Sequence, residues 1–336
     1  MIKRVSNEIK KYLKYNDHII LRSTVKIGTT RNLVKKILDQ KKISYDISFC
    51  PERTIEGKAL EELRYLPQII SGDNKNAIIK SRNLFTKITN KVVNVSSLEA
   101  AEMIKLVDNM QRDVKFSISN EVALMCQNKN LDVNEIIRKG KKSYPRTNLF
   151  DPGPVGGPCL EKDTYILSTS FKKTNKPKIA LTARKLNESI PKNSVSVIKK
   201  YFYKKNKNIK NLNILILGIA FKGIPETNDT RGTTAIELTN QLRSKLPGCK
   251  IFGFDALVEK KFYRQNKIIH VKRLYKSSYK KDIIIIHNNH KSFKNLKLDK
   301  FLNFMNKNGL IFDFWNSYSK RVYTKKNINY ISLGNI

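Results

Sequence analysis

The segment Asn213-Ile214-Leu215-Ile216-Leu217-Gly218 decides the architecture. A short apolar run closed by a glycine reads as a strand buried on both faces. A helical pattern follows at Thr234–Leu246. Further strands are predicted at Lys250–Phe254, Asp282–His287 and Gly309–Phe314. Strands alternating with helices at this spacing make a parallel sheet, and the fold class is α/β.

Working back from Asn213, the polar, basic stretch Lys204–Asn211 reads as a linker and a domain boundary. Helices are predicted between Ile179 and Phe202, with a Gly/Pro-rich loop, Asp151–Pro158, before them. A helix near Val133–Lys139 precedes that loop. A long helix is predicted from Ser97 to about Cys126, its apolar stripe formed by Met103, Val107, Met110, Val114 and Ile118. The opening residues predict an amphipathic helix, a strand at His18–Ser23, a helix at Thr30–Gln40 and a strand at Tyr45–Cys50. The expected division is 1–95, 96–205 and 206–336.

Sixty-six Lys and Arg against 28 acids give a net charge of +38 in 336 residues. The bases are scattered through every segment, and no nucleic-acid-binding signature accompanies them, so no nucleic-acid partner is predicted. The charge still favours anionic, diphosphate-bearing ligands. The longest apolar runs are too short for a bilayer, and the polar N-terminal residues do not read as a secretory signal; a cytoplasmic protein without a membrane partner is expected. Cys50, Cys126, Cys159 and Cys249 lack metal or dithiol spacing and read as free thiols. His287 and His290 follow a strand without an evident third ligand, so no metal site is predicted.

Chemistry concentrates in three places. Gly156-Gly157-Pro158-Cys159-Leu160-Glu161-Lys162-Asp163 presents a thiol directly after paired glycines. Lys162 brings positive charge that favours thiolate, and Asp163 a carboxylate for water. Lys105 and Asn109, four apart on the long helix, share a face suited to an oxyanion, though taken alone such a face is more often solvated. Glu52 and Glu56 follow a strand end, where ligands of open parallel sheets sit; a charged surface loop is an equal reading there.

Together these segments resemble the UDP-glucose/GDP-mannose dehydrogenase family over nearly the whole chain. The resemblance rests on Ser23-Thr24-Val25 with Gly28-Thr29-Thr30, and on Pro51-Glu52-Arg53 with Glu56-Gly57. It continues through Ala101-Glu102 with Lys105-Leu106 and Asn109, and through Gly156-Gly157 and Cys159 with Lys162-Asp163. Gly218 and Ala220-Phe221-Lys222, with Asp229 and Arg231, complete it.

The resemblance implies oxidation of the C6 alcohol of a nucleotide sugar to a carboxylate with two NAD, for surface polysaccharide. Cys159 would capture the aldehyde as a thiohemiacetal and carry it on as a thioester. Lys105 and Asn109 would hold the developing oxyanion, and Asp163, with Glu52 and Thr24, would handle water and protons. Glu56, Lys162 and Arg231 fall at cofactor and active-site charge positions; Gly156, Gly157 and Lys222 at substrate positions. It also implies a Rossmann-like NAD domain, a central long-helix region that joins a homodimer, and a C-terminal UDP-sugar-binding parallel-sheet domain. Arg53 and the Pro152-Gly153-Pro154 form look more like the UDP-N-acetylhexosamine branch than the UDP-glucose branch.

The chain departs from that pattern in one respect. It contains no GxGxxG, and only 22 residues precede Ser23, fewer than the roughly 30 of a dinucleotide-binding βαβ unit. The expectation is an incomplete NAD domain with an uncovered apolar sheet edge, marginal stability of the first 95 or so residues, and poor NAD binding. A complementary N-terminal polypeptide is then an expected partner. The rival expectation is a non-catalytic or partner-dependent nucleotide-sugar-binding remnant.

Overall fold

The computed structural model describes residues 1–206, 208–318 and 328–335; Lys207, within the predicted linker, and the last residue of the 206–336 segment lie outside them. The chain divides into two compact units, Met1–Gln111 with Lys162–Leu181, and Arg112–Glu161 with Thr182–Ile336.

In the first unit, β1 (His18–Leu21) pairs in parallel with β2 (Asp46–Phe49), and β3 (Gln68–Ile70) with β4 (Val92–Asn94). An isolated bridge, Ser48 to Gly72, links the two ribbons. The predicted strands are confirmed within a residue or two; β3 and β4 were missed, being only three residues each. The opening helix, Ile2–Tyr12, turns Ile2 and Ile9 inward against Val34, Leu38 and Ile47. The helix Lys75–Phe85 is capped by Asn74, whose side chain accepts the Ala77 amide, and buries Ala77, Ser81 and Phe85 at four-residue steps. The predicted helix Thr30–Gln40 is instead a π-helical turn, Thr30–Lys35, running into short α and 3-10 turns.

In the second unit, six parallel strands run in the order β10-β9-β8-β5-β6-β7. They are β5 (Asn213–Leu217), β6 (Lys250–Phe254), β7 (Ile269–His270), β8 (Ile283–Ile286), β9 (Leu310–Asp313) and β10 (Asn329–Ser332). The apolar runs Ile214–Leu217 of β5 and Ile283–Ile286 of β8 lie at the centre, as residues covered on both faces must. Leu217 stands level with Phe254 on one side and Ile286 on the other. The strand order reverses at β5, so its carboxyl end is the crevice where ligands of such sheets bind. β7 and β10 were not read from sequence.

The long helix spans Leu98–Lys129. Its most buried face is not the predicted Met103–Ile118 stripe, whose members are half-buried or exposed. Leu98, Ala101, Glu102, Leu106, Asn109, Asp113, Asn120 and Ala123 are buried instead. Polar side chains occupy that face because they hydrogen-bond to loops and neighbouring helices packed on it. The predicted helices after Ile179 are one helix, Lys178–Lys204, with Pro191 inside it.

Candidate active site

The predicted residues stand after strand ends, on the long helix, on glycine loops and, for Lys162 and Asp163, on the helix Leu160–Thr169. Thr24 lies on the loop leaving β1, half-buried. That loop is fastened by Glu102, a buried residue of the long helix. Its carboxylate accepts from the Gly28 amide, from the Thr30 amide at 2.8 Å and from Thr30 Oγ1 at 2.6 Å. Burial pushes Glu102 above the usual carboxylate range against these bonds. Sequence reading passed over Glu102 as a motif letter; a buried acid facing a Gly-Thr-Thr loop was the available signal.

Glu52 follows β2. Arg22 Nη2 donates to its Oε2 at 2.7 Å, and the Thr54 amide to its Oε1 at 2.9 Å. Burial raises Glu52, but Thr54 and the Arg22 guanidinium outweigh it, and the group sits below its ordinary value. Arg53 pairs with Asp108 of the long helix at 2.8 Å. Glu56 is exposed.

Asn109 and Asp163 are brought together. Asn109 Nδ2 donates to Asp163 Oδ2 at 2.6 Å, and Lys162 Nζ to Oδ1 at 2.8 Å. Asp163 is 1% exposed. Lys105, one turn before Asn109, is half-buried, and no carboxylate among the described residues pairs with it. An unneutralised ammonium and a fixed amide on one helix face suit an oxygen that acquires charge.

In the second unit, Cys159 is the one exposed thiol of the four. It directly precedes the helix Leu160–Thr169. Burial pushes Cys50, Cys126 and Cys249 up and away from thiolate character. The glycines before Cys159 are sterically required. A Cβ on Gly156 would lie 2.3 Å from the Gly232 carbonyl; one on Gly157, at φ +96°, would lie 2.5 Å from the Phe221 ring. The Gly157 amide donates to Gly232 at 2.8 Å, tying the thiol's loop to the Asp229–Arg231 segment.

Beyond β5, Asp255 accepts the amides of Ile219 and Ala220 at 2.7 and 3.0 Å, fixing the loop that carries Lys222. Lys222 Nζ lies 5.2 Å from the Phe221 ring centroid. Arg231 is largely exposed but forks onto Asp229, 2.6 Å at its shortest. His287 is buried, its Nδ1 beside the Gly218 carbonyl at 2.9 Å and its Nε2 beside Thr234 Oγ1 at 2.8 Å. Burial brings it down to about 4, and both ring nitrogens are committed to the fold. Among the described residues no cluster of three metal-ligating side chains occurs, and no helix is long and apolar enough to cross a membrane.

Comparison with known proteins accounts for this arrangement. The UDP-glucose/GDP-mannose dehydrogenase family matches through its NAD binding domain at residues 1–89, its central domain at 99–189 and its UDP binding domain at 215–320. The chain belongs to this family of NAD-dependent nucleotide-sugar dehydrogenases. It is 31% identical to the UDP-N-acetyl-D-mannosamine dehydrogenase of Methanocaldococcus jannaschii, covering 99% of this chain and 74% of that protein. The UDP-N-acetyl-D-mannosamine dehydrogenase of Campylobacter jejuni is 28% identical, over 90% of this chain and 75% of its own. Among solved structures, the UDP-N-acetyl-mannosamine dehydrogenase of Staphylococcus aureus superposes with a TM-score of 0.80 at 26% identity, covering 99% of this chain and 75% of that one.

NAD is the cofactor of this family, and the residues present fit part of it. Thr24 and Glu52 follow the carboxyl ends of β1 and β2, the side on which ligands of open parallel sheets bind. The glycine loop that grips a pyrophosphate is not among residues 1–336.

Proposed function

We propose that the chain oxidises the C6 alcohol of a UDP-N-acetylhexosamine to the uronic acid through covalent capture on Cys159. The observation that carries this reading is the exposed thiol of Cys159 on a glycine loop, with Asp163 of the following helix hydrogen-bonded to Asn109.

When bound, NAD supplies the hydride acceptor for both oxidations. Lys105 and the second N–H of Asn109 stabilise the C6 oxygen as its proton leaves, with Thr24 and Glu52 taking part in proton transfer. The Cys159 sulfur bonds to the aldehyde carbon, and its proton passes to solvent or a nearby base. Loss of the second hydride leaves a thioester. Asp163 orients the water that adds to it, breaking the C–S bond and releasing acid and thiol. Gly156, Gly157 and Lys222 contact the substrate; Glu56, Lys162 and Arg231 serve the cofactor side. We assign the division 1–95, 96–205 and 206–336 to NAD, catalytic-helix and UDP-sugar roles, supported by the family's three matched segments. A cytoplasmic homodimer through the long helix completes the reading; Ile118 and Met125, seven apart and exposed, support it.

A second reading is a nucleotide-sugar binder without dehydrogenase activity, favoured by the UDP binding domain matched at residues 215–320. Calorimetry with UDP-N-acetylmannosamine and an NADH assay on the same sample separate the two. Binding together with NADH formation is expected of the first reading; binding without NADH formation is expected of the second. Robust turnover removes the second reading; absence of nucleotide-sugar binding removes both.

A further inference from the structure

Arg184, on the helix Lys178–Lys204, is 1% exposed. Its Nη1 donates to Asp113 Oδ1 at 3.0 Å and to the Leu160 carbonyl at 3.1 Å; its Nη2 donates to the Val155 carbonyl at 3.0 Å. Nε lies 3.4 Å from Glu188. The two carbonyls bracket Gly156-Gly157-Pro158-Cys159, so one planar fork ties both ends of the segment that presents the thiol.

The tie extends upstream. The Gly153 amide donates to Asn120 Oδ1 at 2.9 Å, and the Gly153 carbonyl accepts from Asn120 Nδ2 at 3.0 Å. Asn187 joins the two anchors, donating to Asp113 Oδ1 at 2.8 Å and accepting from Asn120 at 2.9 Å. All these residues lie in the second unit.

A buried guanidinium is a costly core filler, because its charge must be fully compensated. Asp113 compensates the charge. The Val155 carbonyl, on an irregular buried loop, in turn needs a donor that neither helix nor sheet provides, and the Leu160 carbonyl, at the start of its helix, has a second lone pair for one. Lysine could match the charge; only the rigid multi-donor fork reaches two carbonyls and a carboxylate together.

We propose that Arg184 is a positioning residue for Cys159, setting the place of the thiol through the Val155 and Leu160 carbonyls. This rests on reading Cys159 as the nucleophile, but its test needs neither NAD nor turnover. Arg184→Lys and Arg184→Gln are compared with the parent chain for thermal midpoint, amide exchange of residues 155–161, and iodoacetamide alkylation of the Cys159 peptide by mass spectrometry.

The expected result is a split. Lysine recovers most of the midpoint that glutamine loses, yet leaves exchange of the Gly157 and Glu161 amides about tenfold faster than in the parent. Cys159 alkylation then rises roughly threefold, the thiol being no longer held in one orientation. Should Arg184→Lys not fold, the double variant Arg184→Met with Asp113→Leu removes both charges at once, a replacement cores often tolerate. It is expected to fold with the same loosened loop. Lysine restoring exchange and alkylation along with the midpoint would overturn the proposal. So would a folded double variant with parental exchange and alkylation. A dehydrogenase without Cys159 chemistry would show itself separately, as acid formation by Cys159→Ala.

Discussion

The Asn109 amide donates to a carboxylate oxygen of Asp163 at 2.6 Å, while Lys162 occupies the other oxygen at 2.8 Å. A carboxylate so engaged only accepts, so it fixes which end of the Asn109 amide faces it. The remaining Nδ2 hydrogen is left for an oxygen that becomes anionic. Asp163→Asn replaces an acceptor with a group that can flip. Because the pair is buried, the substitution is expected to cost about 1–3 kcal/mol in urea denaturation. In any preparation that turns over, kcat is expected to fall about a hundredfold with KM changed far less. A variant at parental kcat would remove Asp163 from the mechanism.

Cys159 is exposed, and the proposed mechanism gives it chemistry rather than packing. Cys159→Ala is therefore expected to leave stability within about 0.5 kcal/mol of the parent. Uronic-acid formation is expected to stop, read by chromatography of the nucleotide-sugar products. Stability loss with acid yield intact would invert the assignment.

Glu102 fastens the loop that carries Thr24 through bonds from Gly28 and Thr30. Glu102→Gln keeps the shape but sets an amide donor against backbone N–H groups. A loss of about 2 kcal/mol is expected, with faster exchange of the Gly28 and Thr30 amides. Unchanged exchange of those amides would show that the loop is held some other way.

His287 makes a pH prediction. Its folded value, about 4, lies below the ordinary 6.5 because burial penalises the charged ring. The unfolded chain therefore binds more protons between these values. The stability this group contributes is whole above pH 6.5 and is lost as pH falls toward 4, a total of about 3 kcal/mol. The thermal midpoint of the parent is expected to fall more steeply over that window than that of His287→Gln. Parallel slopes would refute the linkage.

Much of the second unit was legible because β5, β8 and β9 carry the apolar runs Ile214–Leu217, Ile283–Ile286 and Leu310–Phe312, short and followed by turn residues as buried strands are, and β6 alternates between buried and less buried positions. The short strands β3, β4, β7 and β10 carry too few residues for a pattern. The long helix was legible in extent but not in facing, since its buried side carries Glu102, Asn109, Asp113 and Asn120. Hydrophobic periodicity cannot find a face stabilised by hydrogen bonds to distant loops. Cys159 and Asp163 could be named from their spacing, whereas Arg184 could not: two of its partners are main-chain carbonyls, which have no side-chain signature, and Asp113 lies 71 positions away on another helix.

The claim on which the mechanism turns is a covalent bond between Cys159 sulfur and the C6 carbon. Asp163→Asn should slow hydrolysis, so this variant is mixed with the 6-aldehyde of UDP-N-acetylmannosamine and NAD, quenched in acid and digested. An acyl adduct on the Cys159 peptide, released by hydroxylamine, is predicted. Acid accumulating while that peptide keeps its unmodified mass would contradict the account.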